Sequence, residues 1–339
     1  MDPILIDVST PHVRLTVMNR ANDRIDDNAV VEYGIGEVRD IATALVRFAA
    51  SRGETLSNRR VYGSLPAAMD GDWLTLSNLA ASWSFSISQL ERDLEIKFEA
   101  RNDATMAVLA IPIFVKEGRH RRIGRGVPIA NRPIAAIIPF SGLGVAALCP
   151  MKVPDLEDDL FVPIESEEGQ TTYAAKSPEE FDLIQRVRAQ LADEADARFA
   201  NDTAVSAERL LSAEGLIRLY RALGGNRDFA RWEDVLDAWE AREDSMAGAA
   251  VQTYCTMLGS FAGDVALAFN VSGAVYLMGP VVKRLHPFLA EPESGFRFHF
   301  EDKPRRRDFL KNVPTYAFEA DYACLNGLNR IALARDGGR

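Results

Sequence analysis

Hydrophobic residues along the first hundred positions alternate between two periods. Residues 4–8 and 13–18 are β-rich runs separated by Ser9-Thr10-Pro11-His12, which predicts a hairpin at the start of a sheet, and residues 29–33 form a third run. Ile41, Leu45, Val46 and Ala49 then fall at helical spacing in a stretch closed by Gly53, predicting an amphipathic helix over 38–50. Strands are expected over 60–65 and 73–76. Ser86 with Gln89 three residues on reads as a capping box for a helix carrying Leu90 and Leu94. That helix delivers the chain into an extended run at 95–101, which gives way at Asn102-Asp103 to a helix rich in Ala, Met, Val and Leu.

A basic stretch containing Gly and Pro covers 116–133, and the apolar run at 134–140 opens a second α/β series. Its expected order is strand, Ser141-Gly142-Leu143-Gly144, strand (145–149), an acidic loop at Asp155 to Asp159, and strand (160–164). Ser177-Pro178-Glu179-Glu180 combines an N-cap, Pro at the first helical position and Glu three residues after the cap, so a helix begins there and runs to about Ala197. Helices follow at 212–223, closed by Gly224-Gly225, and at 244–269. A buried strand at 274–278 ends at Gly279-Pro280, where another helix opens. Strands interleaved with helices give an α/β class, in two lobes around a cleft. We place a small α/β domain at 1–113 plus 319–339 and a large one at 114–318.

Composition narrows the function classes. The 339 residues are 47% hydrophobic and 26% charged, with a formal net charge of -10, an ordinary globular balance. No Lys/Arg tract is continuous enough to track a phosphate backbone, which argues against nucleic acid as a partner, and Arg305-Arg306-Arg307 reads as a solvated face. Cys149, Cys255 and Cys324 are odd in number and far apart, giving neither a disulfide framework nor a zinc pair and pointing to a reducing cytoplasm. Neither a secretory leader nor an apolar run of membrane-spanning length is present, so no membrane partner is expected. The sequons at Asn201-Asp202-Thr203 and Asn270-Val271-Ser272 carry no meaning in that compartment.

Asn102-Asp103 is the pair with the most chemistry in it. Ligands of open α/β sheets collect at strand ends, and an acid held there beside an amide can take a proton from a bound hydroxyl. The plainer reading makes Asp103 the N-cap of its helix. Tyr33-Gly34-Ile35-Gly36-Glu37-Val38-Arg39 sits between strand and helix like a dinucleotide loop, but Arg39 occupies the third glycine position and would block helix-strand packing. His12, His120, His286 and His299 have no metal-ligand spacing, and Gly-x-Ser-x-Gly is absent.

Several segments, in order along nearly the whole chain, resemble the bacterial glucokinase family of the hexokinase and actin-like ATPase superfamily. Glu99-Ala100-Arg101-Asn102-Asp103 followed by Ala107 to Pro112 looks like the family's strand-Asn-Asp-helix segment, implying Asp103 as catalytic base and Asn102 as a sugar ligand. Glu167-Glu168-Gly169-Gln170 resembles the family's Glu-Gly-Gly-His sugar loop, with Tyr173 and Ser177 where the family has Phe and Ser. Val205 to Gly215-Leu216 is the closest match and implies Glu208 as a further acid on sugar hydroxyls. Beside the resemblance, Glu167 also reads as part of a solvated acidic loop and Glu208 as a helix-start residue favoured by the dipole.

The phosphate side matches less fully. Asp7 to Arg14 occupies the place of the family's Asp-x-Gly-Gly-Thr-Asn-x-Arg loop; Asp7 and Arg14 survive and, with Thr10, are expected cofactor ligands, but both glycines are gone and Pro11 has no N–H. Ser141, Gly142 and Gly144 keep a hydroxyl and two glycines of a second phosphate loop, and Gly279 keeps one glycine of an adenosine contact. Gln170 in place of His keeps a donor and an acceptor but cannot carry charge. The resemblance implies a two-domain actin-like ATPase (ribonuclease H-like) fold with a central cleft, a homodimer, and a hexose kinase using ATP and Mg2+, the cation at Asp7. A sugar-binding regulator or pseudokinase with lost or altered nucleotide binding is the alternative expectation.

Overall fold

The computed structural model describes residues 1–67, 71–76, 83–151, 160–193 and 204–336. Contacts divide the chain into two units, one of Met1–Arg119 with Pro163–Glu165 and Ala320–Arg339, the other of His120–Val162 with Ser166–Glu319. In the first, β1 (Ile4–Ser9) and β2 (His12–Val17) form the expected hairpin, paired as far as Ser9 opposite His12, so the loop is Thr10-Pro11 alone. β3 (Val31–Gly34) adds antiparallel to β2. α1 (Ile41–Ser51) starts later than its apolar period because Asp40 caps it, accepting from the Thr43 N–H at 2.6 Å. β4 (Arg60–Leu65) lies parallel to β1, while β5 (Trp73–Leu76) and β6 (Trp83–Ser86) form a separate ribbon.

Ser86 caps α2 (Ile87–Leu94) as expected, accepting from Gln89 N–H at 3.1 Å, but the reciprocal half of the box is replaced. The Gln89 side chain turns forward to Asp93 and Arg92, and Asp72 from the ribbon takes the Ser88 N–H instead. β7 (Lys97–Asn102) pairs parallel with β4 and completes the sheet order β3-β2-β1-β4-β7 before α3 (Asp103–Lys116). Ile4, Ile6 and Val8 of β1 face a core with Val13, Leu15, Leu45 and Phe48, so Leu5 and Asp7 face the other side of the sheet.

The second unit holds β8 (His120–Arg122) and the hairpin of β9 (Ile134–Pro139) and β10 (Leu143–Met151), and its sheet takes in β11 (Leu160–Ser166), of which Pro163–Glu165 is grouped with the first unit. α4 (Pro178–Asp193), α5 (Ala207–Leu211), α6 (Ala213–Ala222), α7 (Trp232–Glu240) and α8 (Ser245–Ala268) follow. Next come β12 (Ala274–Leu277), α9 (Pro280–Leu289), α10 (Phe296–Glu301), α11 (Arg307–Asn312) and β13 (Thr315–Phe318). The sheet order is β11-β10-β9-β12-β13-β8, with β12 parallel to β9 and β13. α8 is Ala/Met-rich and buried on most sides, the mark of a central core helix. Arg305, Arg306 and Arg307 are exposed, as a solvated face requires. The acidic loop at Asp155 to Asp159, the helix end at Ala197 and the sequon at Asn201 lie outside the described residues.

α12 (Ala323–Asp336) belongs to the first unit, packing on α3, β1 and β4. Its buried Asn326 and Asn329 satisfy backbone groups of the β2–β3 connection: Asn326 Oδ1 accepts from Ile25 N–H at 3.1 Å and Asn329 Oδ1 from Asn19 N–H at 2.9 Å.

Candidate active site

The carboxyl ends of the parallel strands β1, β4 and β7 present Asp7, Ser64 and Asn102 in one unit. Asp7 is 3% exposed. Its Oδ2 stands 3.6 Å from Arg14 Nη1, while Oδ1 is buried with no hydrogen-bond partner. Burial pushes the Asp7 carboxyl above its usual range; Arg14 opposes this most, and Ser64 and Cys324 lie near enough to oppose it further without meeting Oδ1 in hydrogen-bond geometry. Arg14 is shared: Nε donates to Glu32 at 2.6 Å and Nη1 to Ser9 Oγ at 3.1 Å. Its own burial works against its charge, but Asp7 and Glu32 together outweigh that. Thr10 lies in the two-residue turn, whose Pro11 carbonyl accepts from Ile35 N–H at 2.8 Å.

Asn102, not Asp103, is the cap of α3. Its Oδ1 accepts from the Thr105 N–H at 3.2 Å, so the plainer reading of Asp103 fails by one residue. Asp103 is the first helical residue, with Oδ1 accepting from Ala104 N–H at 2.7 Å and its backbone carbonyl accepting from Cys324 Sγ at 3.5 Å. The amide Nδ2 of Asn102 is therefore the part of that side chain suited to a ligand.

In the second unit, Glu167 leads into a 3-10 turn, Glu168–Gln170, with Glu167 and Gln170 both exposed. The chain after the turn pairs with the approach to α5: Tyr173 N–H donates to Val205 O at 3.0 Å and Ala207 N–H to Thr171 O at 2.9 Å. That strap brings Glu208, in the first turn of α5, toward the β9–β10 hairpin. There its Oε2 accepts from the backbone N–H of Leu143 at 3.0 Å, so the carboxylate reaches out of its helix instead of serving as a helix-start charge alone. Gly169 packs on the same residue from the other side; a Cβ at Gly169 would meet Leu143 O at 2.1 Å. Tyr173 lies under the strap with its hydroxyl donating to Glu180 at 3.1 Å, and Ser177 Oγ caps α4 by accepting from Glu180 N–H at 3.2 Å.

Ser141 and Gly142 form the β9–β10 turn, closed by Phe140 N–H to Gly142 O at 2.9 Å and tied to α6 by Ala213 N–H to Phe140 O at 2.7 Å. β10 begins at Leu143, two positions before the expected strand, so Gly144 lies within the ladder opposite Ile138 and not in the turn. Gly279 follows β12 as the N-cap of α9 with φ 97, a conformation open to glycine, and its Cβ position is 3.2 Å from Pro139 O. Ser141, Gly142 and Gly279 thus share the carboxyl edge of β9 and β12, beside a helix N-terminus suited to an anion.

The sequence reading missed Ser64, Glu32, Cys324 and Tyr322, whose ring lies 5.8 Å from the Arg14 guanidinium carbon. Ser64 had a signal, the end of a β-rich run like the one holding Asp7; the others depend on pairings about which local pattern is silent.

The family model for glucokinase matches residues 4–335. The glucokinase of Aromatoleum aromaticum is 38% identical over 264 residues, 76% of this chain and 73% of the relative. Among solved structures, a Balamuthia mandrillaris glucokinase in complex with glucose superposes with TM-score 0.75 at 16% identity, covering 97% of this chain and 92% of that one. A ROK family glucokinase from Streptomyces griseus, in complex with glucose and AMPPNP, gives TM-score 0.61 at 15% identity over 98% of this chain and 100% of that one. These structural likenesses show the actin-like ATPase fold. The match across residues 4–335, together with the identity to curated glucokinases, shows that the chain belongs to the glucokinase family.

Proposed function

We propose that this chain is a glucokinase-type hexose kinase that transfers the γ-phosphoryl group of ATP to the 6-hydroxyl of glucose or a related hexose. The observation that carries the reading is the β7–α3 junction: Asn102 is the cap, and Asp103 follows it as a first-turn carboxylate at a strand end. Asp103 accepts the proton of the 6-hydroxyl as that oxygen bonds to the γ-phosphorus and the bond to the bridging oxygen of ADP breaks. Asn102, Glu167, Gln170 and Glu208 would hold hexose hydroxyls, which carboxylates do through charge-assisted hydrogen bonds. Ser141, Gly142 and Gly279, with Thr10 and Arg14, would serve phosphates and adenosine. The AMPPNP complex of the Streptomyces griseus relative supports ATP as donor.

Phosphoryl transfer from ATP calls for a divalent cation to neutralise phosphate charge. Asp7 fits magnesium: its Oδ1 is a buried carboxylate oxygen with no hydrogen-bond partner, and magnesium is commonly held by one or two carboxylates together with substrate phosphates. A sugar-binding regulator without turnover is not favoured, since the curated relatives are named glucokinases. A homodimer rests on family resemblance and is to be read by sedimentation velocity. A cytoplasmic setting rests on the unpaired Cys149, Cys255 and Cys324; among the described residues no helix is long and apolar enough to cross a membrane.

The test is turnover of glucose and ATP by Asp103→Asn. Loss of a general base predicts a fall in kcat of about 10²- to 10⁴-fold with glucose binding retained. Wild-type turnover in this variant refutes the assignment.

A further inference from the structure

Ser64 ends β4 as the register partner of Asp7, on the same side of the sheet. Both are shut from solvent, Ser64 at 0% and Asp7 at 3% exposure, and both Ser64 Oγ and Asp7 Oδ1 are without a hydrogen-bond partner. Buried polar atoms are nearly always bonded, so two such atoms side by side require a reason. Ser64 lies near enough to Asp7 to favour its charged form, yet neither Oδ1 nor Oγ has a partner in hydrogen-bond geometry.

Neighbouring groups do not fill the gap. Arg14 is bonded to Glu32 and Ser9 and approaches the other oxygen of Asp7, Oδ2, at 3.6 Å. The thiol of Cys324 lies close to both Ser64 and Asp7, but the partner it meets in hydrogen-bond geometry is the Asp103 carbonyl, at 3.5 Å. What remains is a carboxylate oxygen and a hydroxyl oxygen with lone pairs to offer, the ligand set of a hard cation.

We propose that Ser64 Oγ is an oxygen ligand, direct or through a hydration water, of the divalent cation that accompanies the nucleotide at Asp7. This rests on the reading that Asp7 serves magnesium.

The experiment titrates Mn2+ into the full-length chain with a non-hydrolysable ATP analogue and glucose, counting free Mn2+ by its paramagnetic resonance signal. Wild type, Ser64→Ala and Asp7→Asn are compared, and urea midpoints are taken on all three without metal. Ser64→Ala weakens Mn2+ binding about tenfold, the scale seen when a metal-supporting group is removed. Its urea midpoint stays level or rises, because the hydroxyl removed leaves no broken bond behind. Wild-type Mn2+ affinity in Ser64→Ala with lost affinity in Asp7→Asn overturns the role of Ser64 while the Asp7 reading stands. Wild-type affinity in Asp7→Asn overturns both. A lower midpoint in Ser64→Ala accompanying the weaker binding makes the hydroxyl a structural one and also overturns the proposal.

Discussion

Gly169→Ala separates packing from chemistry in the turn expected to bind sugar. The added methyl would sit 2.1 Å from Leu143 O, where ordinary contact begins at 3.4 Å. The obstacle is backbone and cannot swing aside: Leu143 is paired opposite Pro139 in the hairpin, and its N–H is held by Glu208 Oε2 at 3.0 Å. The turn Glu168–Gln170 must therefore lift by more than an ångström, carrying Glu167 and Gln170 with it. Overpacking of this kind costs about 1–3 kcal/mol. If the whole falls on hexose binding, the glucose KM rises roughly five- to hundredfold, at about 1.4 kcal/mol per tenfold. Urea unfolding and glucose-dependent steady-state kinetics measure the two parts, with Gly36→Ala as control, since a methyl there meets nothing within 4 Å. A wild-type midpoint together with a wild-type glucose KM in Gly169→Ala refutes the reasoning.

Two further outcomes follow from titrating groups. Asp7 has a raised carboxyl, so its contribution to stability is present at low pH and is lost as pH rises through its folded-state value. Asp7→Asn should therefore raise the urea midpoint of the ligand-free chain at pH 7 and leave it nearly unchanged near pH 3, while abolishing turnover; a lower midpoint at pH 7 contradicts this. His299 is lowered, chiefly by burial and then by Lys176, so the fold prefers it neutral, and that stability is present above pH 6.5 and lost as pH falls below it. His299→Gln should flatten the acid limb of midpoint against pH between 7 and 5, and an unaltered limb counts against the assignment.

Legibility in the sequence tracked how local each signal was. Ser86 and Ser177 announced their helices because a cap is written within three residues, and both bond as that spacing requires. The β1–β2 hairpin and the β12–Gly279–α9 corner were readable for the same reason. α12 was hidden: its inward Asn326 and Asn329 give it a polar face where periodicity looks for an apolar one, because their partners are backbone groups some three hundred residues away. β8 and β13 are short and lack alternation, and of the brief helices α7 and α10 pack on α8 and α11 on α10. At the β7–α3 junction the cap expected at Asp103 falls one residue earlier, at Asn102, within the usual uncertainty of helix ends. Ser64 and Cys324 went unremarked because their meaning depends on β1, β4 and α12 meeting.

The hydrogen bond from Leu143 N–H to Glu208 Oε2 has a thermodynamic consequence. One carboxylate oxygen, expected to meet a sugar hydroxyl, also anchors the residue that closes the turn carrying Ser141 and Gly142. A ligand that competes for that oxygen alters the turn, and a ligand that orders the turn alters what the oxygen can offer. Linkage makes the two effects equal in free energy. On the proposed assignment of sugar to Glu208 and phosphate to the turn, the affinity for each is a function of the other's presence, through a bond between a side chain and a backbone amide 65 positions apart.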